Sequence, residues 1–329
     1  MNAKNSTQPP EKHSIATVIP CFQERDHILD VIAQIGNEVK AIYVIDDACP
    51  DLTGELVLKK SRDERVKVIR HEKNKGVGGA TLTGYGQALK DGHSIIVKID
   101  GDGQMDPALI MTIVKPILDG RADYAKGNRF HGSDNIAGMP INRIIGNICL
   151  SIMSKLSSGY WNIFDPTNGF TAIHVVALKK LMRKKISQGY FFESEMLFWL
   201  GFIKAVVEDV PMSAKYGHEK SGVILSKVIP EFLFKHIRNS IRRLYYTYFL
   251  SAPGAPTIFL VMGFLLFGFG FIFGMFQWYQ SYYMGTPAST GTVILAALPI
   301  ILGTQLGLGF LNFDLENIPK TPLQKRADK

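Results

Sequence analysis

The sequence predicts an α/β domain with a mostly parallel sheet, followed by an amphipathic helix and two membrane-crossing helices. Three observations carry this. Short apolar runs alternate with helix-like patterns through the first part of the chain. From Leu244 to Phe313 there is no Asp, Glu, Lys or Arg, in a chain that is 20% charged overall. Between these regions lies a basic segment with apolar residues at helical spacing.

Residues 1–13 are polar, carry no apolar h-region and read as a disordered tail without a signal peptide. "SIATVIP" then reads as a strand, "HILDVIAQIGNEV" as a helix and "AIYVID" as a second strand. A helix around "TGELVLKKSRD" leads to the strand "RVKVIRH". "GGATLTGYGQALKDG" is a helix opened by glycines, and "SIIVKID" is the next strand. Alternating strands and helices with short links favour a parallel sheet, in a domain over residues 14–225. Ligands of such sheets sit beyond the carboxyl ends of the strands. With 329 residues the chain has room for a catalytic domain and more.

Residues 226–255 follow as a juxtamembrane helix. Leu233, Ile237, Ile241, Leu244 and Tyr248 share one face while Lys235, Arg238 and Arg242 line another, the pattern of a helix lying on a bilayer. The stretches 256–280 and 290–313 are each long enough to cross a hydrocarbon core, so residues 256–313 read as a transmembrane hairpin. Pro299 is tolerable there, because neighbouring groups satisfy the freed carbonyl. Trp278, Tyr279, Tyr282 and Tyr283 form an aromatic belt. The link "SYYMGTPAST" has no cation, whereas Lys227, Lys235, Arg238, Arg242 and Arg243 precede the spans. Lys320, Lys325, Arg326 and Lys329 follow them in a basic tail, residues 314–329. The positive-inside rule therefore puts the catalytic domain and both termini in the cytoplasm, as in a bacterial inner-membrane protein. Gly270 with Gly274, and Gly303 with Gly307, allow close helix packing, inside the hairpin or in a homo-oligomer.

A net charge of +8 calls for anionic partners. The cations gather beside the spans, which points to phosphates and headgroups and away from nucleic acid. Cys21, Cys49 and Cys149 are widely spaced with no CxxC, in keeping with a reduced cytosolic domain.

The chemistry concentrates in "VKIDGDGQMDP", residues 97–107, where an apolar strand ends in acidic residues and glycines. In extended geometry Asp100 and Asp102 project the same way. Two carboxylates about 4 Å apart repel by roughly 4 kcal/mol at an effective dielectric near 20, so a proton or a cation must intervene. Hard oxygen ligands suit Mg²⁺ or Mn²⁺, which keeps substrate phosphate oxygens in its shell. Gly101 and Gly103 let the backbone bend and a bulky ligand approach. "IPCFQE" (19–24) ends the first strand. "VIDDACPDLT" (44–53) ends the second and offers Asp46 and Asp47 to a base edge or ribose hydroxyls, with Asp51 or Thr53 as a helix cap. "NKGVGGATLTGYG" (74–86) lacks GxGxxG spacing because Thr81 stands in the last place, and reads as a glycine-rich helix start near phosphate.

"VIPCFQE", "VIDDACPD", "NKGVGGA", "DGDGQ" and "GNRF" occur in an order that resembles family 2 glycosyltransferases with the GT-A fold, over roughly residues 14–225. The two-span tail after an amphipathic helix narrows the resemblance to polyprenyl-phosphate glycosyltransferases, relatives of dolichol-phosphate mannose synthase. This resemblance implies a GT-A, nucleotide-diphospho-sugar transferase domain. It implies that Pro20, Phe22 and Glu24, with Asp46 or Asp47, hold the nucleotide sugar together with Asp100 and Gly101. Asp100, Asp102 and Gln104 would bind the cation bridging the donor diphosphate. Arg129 and Arg143 would grip donor and acceptor phosphates. Lys220 keeps the last place of the family's Arg-x-Tyr-Gly-x-Ser-Lys in "AKYGHEK" (214–220) and would join the donor site. Ala214 stands in the arginine's place with Lys215 one step along, a point charge where the family has a fork. "DPTNGF" (165–170) and "FFESEML" (191–197) resemble segments on the acceptor side, with no individual role for Asp165, Glu193, Glu195 or His218.

A lipid monophosphate, with a second pKa of about 6, is already an anionic nucleophile at neutral pH and needs no strong base. The protein must instead screen repulsion between nucleophile and donor, with the metal at Asp102 and with Arg129, Arg143 and Lys220. The expected reaction is one inverting displacement, from a GDP- or UDP-linked sugar to undecaprenyl or dolichyl phosphate. A second reading has a hydroxyl acceptor, with Asp165 or a Glu of "FFESE" as base. A third is a non-catalytic GT-A-like binding subunit, which the intact "DGDGQ" and "GNRF" weigh against.

Overall fold

Four apolar runs become parallel strands: β1 (Ile15–Cys21), β2 (Val39–Asp46), β3 (Val66–Arg70) and β4 (Ile95–Lys98). The computed structural model describes residues 13–130, 141–212 and 225–327. The expected tail at 1–12, Lys215, His218, Lys220, Lys329 and the side chains of Arg143 and Lys227 lie outside what is described. Every residue of β1 and β4 is buried, as near-continuous apolar runs require in a sheet covered on both faces.

Three shorter strands complete the sheet: β5 (Tyr124–Asn128), β6 (Thr171–His174) and β7 (Val207–Pro211). The order is β3-β2-β1-β4-β6-β5-β7. β6 runs antiparallel to β4 and β5, and β7 is parallel to β5, so the sheet is mostly parallel as expected. The reversal of β6 has a consequence for the site. The segment preceding β6, which contains "DPTNGF", stands at the same sheet edge as the carboxyl ends of β1, β2, β4 and β5.

Helices α1 (Ile28–Ala33), α2 (Thr53–Lys60), α3 (Gly76–Lys90) and α4 (Ile110–Leu118) follow the expected order. α1 is shorter than the pattern predicted. The Arg65 guanidinium draws off the carbonyls of Ile35, Gly36 and Val39, at 3.0, 2.5 and 3.0 Å, so the helix is not continued there. Further on are α5 (Ile141–Ser158), α6 (Val175–Leu181), α7 (Phe192–Phe202) and α8 (Leu225–Leu244). The core joins Ile19, Val44, Val97 and Ala172 of the sheet to Ile28, Val31, Val57 and Ile113 of the helices. Each large apolar side chain so buried contributes about 1.5–3 kcal/mol.

The chain divides into two compact units: the described residues of Met1–Asn239 with Pro319–Lys329, and Ser240–Ile318. The tail thus rejoins the first unit. Its helix α11 (Leu323–Ala327) starts on the buried Asp123 carboxylate, which accepts the Leu323 and Gln324 N–H groups at 2.8 and 3.1 Å. Gln324 Nε2 also donates to the carbonyls of Ile117 and Ala122.

In the second unit α9 (Ala255–Met284) and α10 (Thr290–Glu316) are both long and apolar enough to cross a membrane. The small residues close the hairpin on itself: a Cβ on Gly303 would stand 2.5 Å from the Phe267 nitrogen and 2.8 Å from the Gly263 oxygen. Along α8, Ile229, Leu233, Phe234, Ile237 and Ile241 are exposed, as an amphipathic helix predicts. Tyr248 departs from that face. The chain beyond α8 turns π-helical over Tyr245–Ser251, and Tyr248 is buried with its hydroxyl donating to Asp314 at 2.6 Å.

Candidate active site

A cavity of about 830 Å³ opens where β1, β2 and β4 end. Pro20, Phe22, Glu24, Asp47, Asp100, Gly101 and Asp102 all line it. Asp46, Gln104 and Arg129 are not among its lining residues.

Asp46 and Asp47, adjacent in sequence, do different work. Asp46 is fully buried, and its two oxygens accept the N–H groups of Cys49 (2.8 Å) and Gly54 (3.0 Å), fixing the loop into α2. The N-cap position of α2 is Leu52, in a left-handed conformation at φ 61°, and not Asp51 or Thr53; Asp51 Oδ1 accepts the Thr53 N–H at 3.2 Å and its hydroxyl at 2.7 Å. Asp47 lies against His71 Nδ1 at 2.6 Å and accepts the N–H groups of Lys75 (2.9 Å) and Gly76 (2.7 Å). Gly76 has φ +80°, and the N–H groups of Gly78 and Gly79 go to the Gln188 carbonyl. The glycine-rich start of α3 therefore satisfies these amides within the chain, and a phosphate there is not needed to do so.

β4 stops at Lys98, and the acidic elbow turns through Gly101 and Gly103, the latter at φ +73°. Asp102 Oδ1 accepts the Gln104 N–H at 2.9 Å, and Asp106 caps the following short helix through Ala108. The i, i+2 convergence seen in the structure is that of Lys98 with Asp100. Lys98 Nζ is 2.6 Å from Asp100 Oδ1 and 3.3 Å from Glu193 Oε1. Burial works against this ammonium, but Asp100 and Glu193 outweigh it, and its pKa lies above the ordinary lysine value. Among the described residues no three His, Cys, Asp or Glu side chains gather as a metal cage. Two carboxylates and one amide suit an ion that completes its shell with substrate phosphate oxygens, as Mg²⁺ and Mn²⁺ do. Asp100 and Asp102 line the cavity and supply oxygens of the kind such an ion takes, whereas Gln104 is not among the lining residues.

Arg129 follows β5 and meets the buried Asp165 in a two-point pair, Nε to Oδ2 at 2.7 Å and the terminal nitrogen to Oδ1 at 3.0 Å. Asn168 of the same loop donates to the Gly127 carbonyl and accepts the Phe170 N–H. Lys126 is fully buried beneath and donates to the Asn168 carbonyl. Burial pushes its pKa down to about 8, against the pull of Glu193 and Asp165. Glu195 accepts the Ser187 N–H at 2.7 Å and faces Arg238 at 3.5 Å, so neither glutamate of "FFESEML" is a plain surface charge. Lys98 and Lys126 were not singled out as site residues by motif, whereas Gly169 and Glu193 fell inside "DPTNGF" and "FFESEML" without an individual role. The available signal was a lysine closing an otherwise apolar strand run, "SIIVKI".

A mostly parallel sheet whose carboxyl edge holds a cavity with an acidic elbow defines an α/β protein that takes its ligand beyond the strand ends. The family model of Glycosyl transferase family 2 matches residues 16–182, and the chain belongs to that family. It is similar to the UDP-N-acetylglucosamine–dolichyl-phosphate N-acetylglucosaminyltransferase of Methanococcus voltae, 30% identical over 61% of this chain and 86% of the relative. It is similar also to the polyprenol monophosphomannose synthase of Mycolicibacterium smegmatis, 27% identical over 54% of this chain and 69% of that one. The fold matches glucosyl-3-phosphoglycerate synthase from Mycobacterium tuberculosis, crystallised with Mn²⁺, UDP and phosphoglyceric acid. That match has a TM-score of 0.53 at 18% identity, over 70% of this chain and 78% of the other.

Proposed function

We propose that this glycosyltransferase moves a sugar from a GDP- or UDP-linked donor to a polyprenyl phosphate at the cytoplasmic membrane face. One observation carries the acceptor. The cavity that holds Asp100 and Asp102 is also lined by Gly146, Cys149, Leu150 and Met153 of α5 and by Ile229 and Phe232 of α8. The same two helices expose Ile145, Ile148, Ile152 and Leu156, and Ile229, Leu233 and Phe234. Ser157 Oγ and His236 Nδ1, 2.9 Å apart, join them. Apolar surface on both the cavity side and the outer side fits an isoprenoid acceptor arriving from a bilayer and has no use for a soluble one. The names of the relatives support the same acceptor.

In this reading Pro20, Phe22, Glu24 and Asp47 contact the nucleotide, and Asp46 shapes the loop that presents them. A divalent cation held by Asp100, Asp102 and Gln104 would neutralise the donor diphosphate. Arg129, Arg143 and Lys220 screen the approach of one phosphate to another, with Arg129 oriented by Asp165. An anionic lipid phosphate oxygen attacks the sugar carbon directly, with inversion, as the bond from that carbon to the nucleoside diphosphate breaks and the diphosphate leaves with the electron pair; no group need remove a proton. The hydroxyl-acceptor alternative needs a base, and the oxygens of Asp165 already accept hydrogen bonds from Arg129. The test offers purified full-length protein either a polyprenyl phosphate or the corresponding polyprenol. Transfer to the phosphate alone is expected; transfer to the free alcohol would reject the mechanism.

A further inference from the structure

Two carboxylates meet one buried ammonium behind the acidic elbow. Lys98 Nζ donates to Asp100 Oδ1 at 2.6 Å and to the Gly169 carbonyl at 3.4 Å, and stands 3.3 Å from Glu193 Oε1. Three donors thus face three acceptors. Gly169 packs close: a Cβ there would sit 2.5 Å from both Lys98 Nζ and Asp100 Oδ2. The members differ in access. The Asp100 side chain is 30% exposed, Glu193 11% and Lys98 1%. Asp100 is therefore the member that an incoming ion reaches most readily, and it arrives already holding a cation supplied by the chain.

We propose that Lys98 is a positioning residue that serves as the resident counter-cation of Asp100, and that Glu193 retains it when a divalent ion takes Asp100 over. The empty elbow then avoids the repulsion of unscreened neighbouring carboxylates. An ion alone must compete with the Lys98 ammonium and binds weakly. An ion arriving with a nucleoside diphosphate is also held through the donor's own contacts with the cavity, and these help it to displace the ammonium. The trio carries a single excess negative charge, and Glu193 gives the ammonium a seat that leaves it paired throughout.

This rests on the cation reading of Asp100 and Asp102 and is independent of the lipid acceptor, so failure of sugar transfer to lipid leaves it standing. The experiment measures Mn²⁺ binding to full-length protein in detergent by electron paramagnetic resonance, without nucleotide, counting the binding that Asp102→Asn removes. Lys98→Met should tighten Mn²⁺ by about tenfold or more, in line with the coupling of close charge pairs. Glu193→Gln should weaken it, because Lys98 is left with Asp100 alone. The double variant Lys98→Met/Glu193→Gln keeps the net charge and removes the competitor, and should still bind Mn²⁺ more tightly than the native chain. A merely structural pair would move both single variants the same way. Unchanged or weaker binding in both Lys98→Met and the double variant overturns the proposal, as does tighter binding in Glu193→Gln.

Discussion

Asp100 in the first unit and Asp314 in the second are both paired with a basic side chain, yet they are built for opposite ends. Asp314 is 2% exposed, and its two oxygens take the Arg243 fork at 2.7 and 3.0 Å, with the Tyr248 hydroxyl added on one of them. Asp100 borders a cavity and meets a lysine through one oxygen. A guanidinium fork fixes both oxygens in one plane, whereas an ammonium is a point charge that leaves its partner replaceable. Arg129 with Asp165 repeats the fork at the edge of the site, where orientation and not exchange is required. Asp314 and Asp165 are held by forks, and the carboxylate proposed to receive a ligand carries a lysine.

The sharpest way to break this contrast is Asp102→Asn. The variant should stay in membranes with unchanged melting, while sugar transfer falls by about 10³-fold, the scale of losing a group that stabilises developing charge. Near-normal activity would remove the cation assignment. Asp314→Ala comes next: it strands Arg243 and should cost about 3 kcal/mol of stability, read as a lower thermal midpoint with Mn²⁺ binding retained. Lost Mn²⁺ binding without lost stability would show that the two clusters are not distinct in kind. Arg129→Lys keeps the charge and forfeits the two-point pair, so kcat should fall roughly 10–100-fold with little change in melting. If kcat is unaffected, the fork does not matter for orientation.

A smaller effect concerns His236 of α8, buried against Ser157 of α5, whose pKa burial pushes down to about 4. The unfolded chain takes up this proton near the ordinary histidine value, and the folded chain does so only near 4. Stability is therefore present above the unfolded value and lost as pH falls toward 4, by at most about 1.4 kcal/mol per pH unit. His236→Gln should flatten that acid limb of the melting curve, and an unchanged limb would assign it elsewhere.

Much of the first unit was legible because β1, β2 and β4 are largely buried apolar runs and β3 alternates Val and Ile with Lys67 and Arg70. β5, β6 and β7 read "YAKGN", "TAIH" and "VEDVP", too short and too polar to announce strands, and their burial depends on partners brought in from elsewhere. α5 does carry an apolar stripe, through Ile145, Ile148, Cys149, Ile152, Met153 and Leu156, but part of it lines the cavity and part is exposed, so it marks no core contact. The elbow, the first-strand residues and Asp47 were readable as motifs at strand ends. The roles of Asp46, Lys98 and Glu193 were not, because each depends on a hydrogen-bond partner that only the folded backbone supplies.

In the proposed reaction the sugar ends on a lipid phosphate. Membranes containing the full chain, given radiolabelled GDP- and UDP-sugars with Mn²⁺ and then extracted for lipid, test it directly. The expected product is a labelled lipid whose sugar is released by mild acid, as a phosphodiester-linked sugar is, and which is absent from Asp102→Asn membranes. A labelled lipid that resists mild acid, marking an ordinary glycoside, would contradict it.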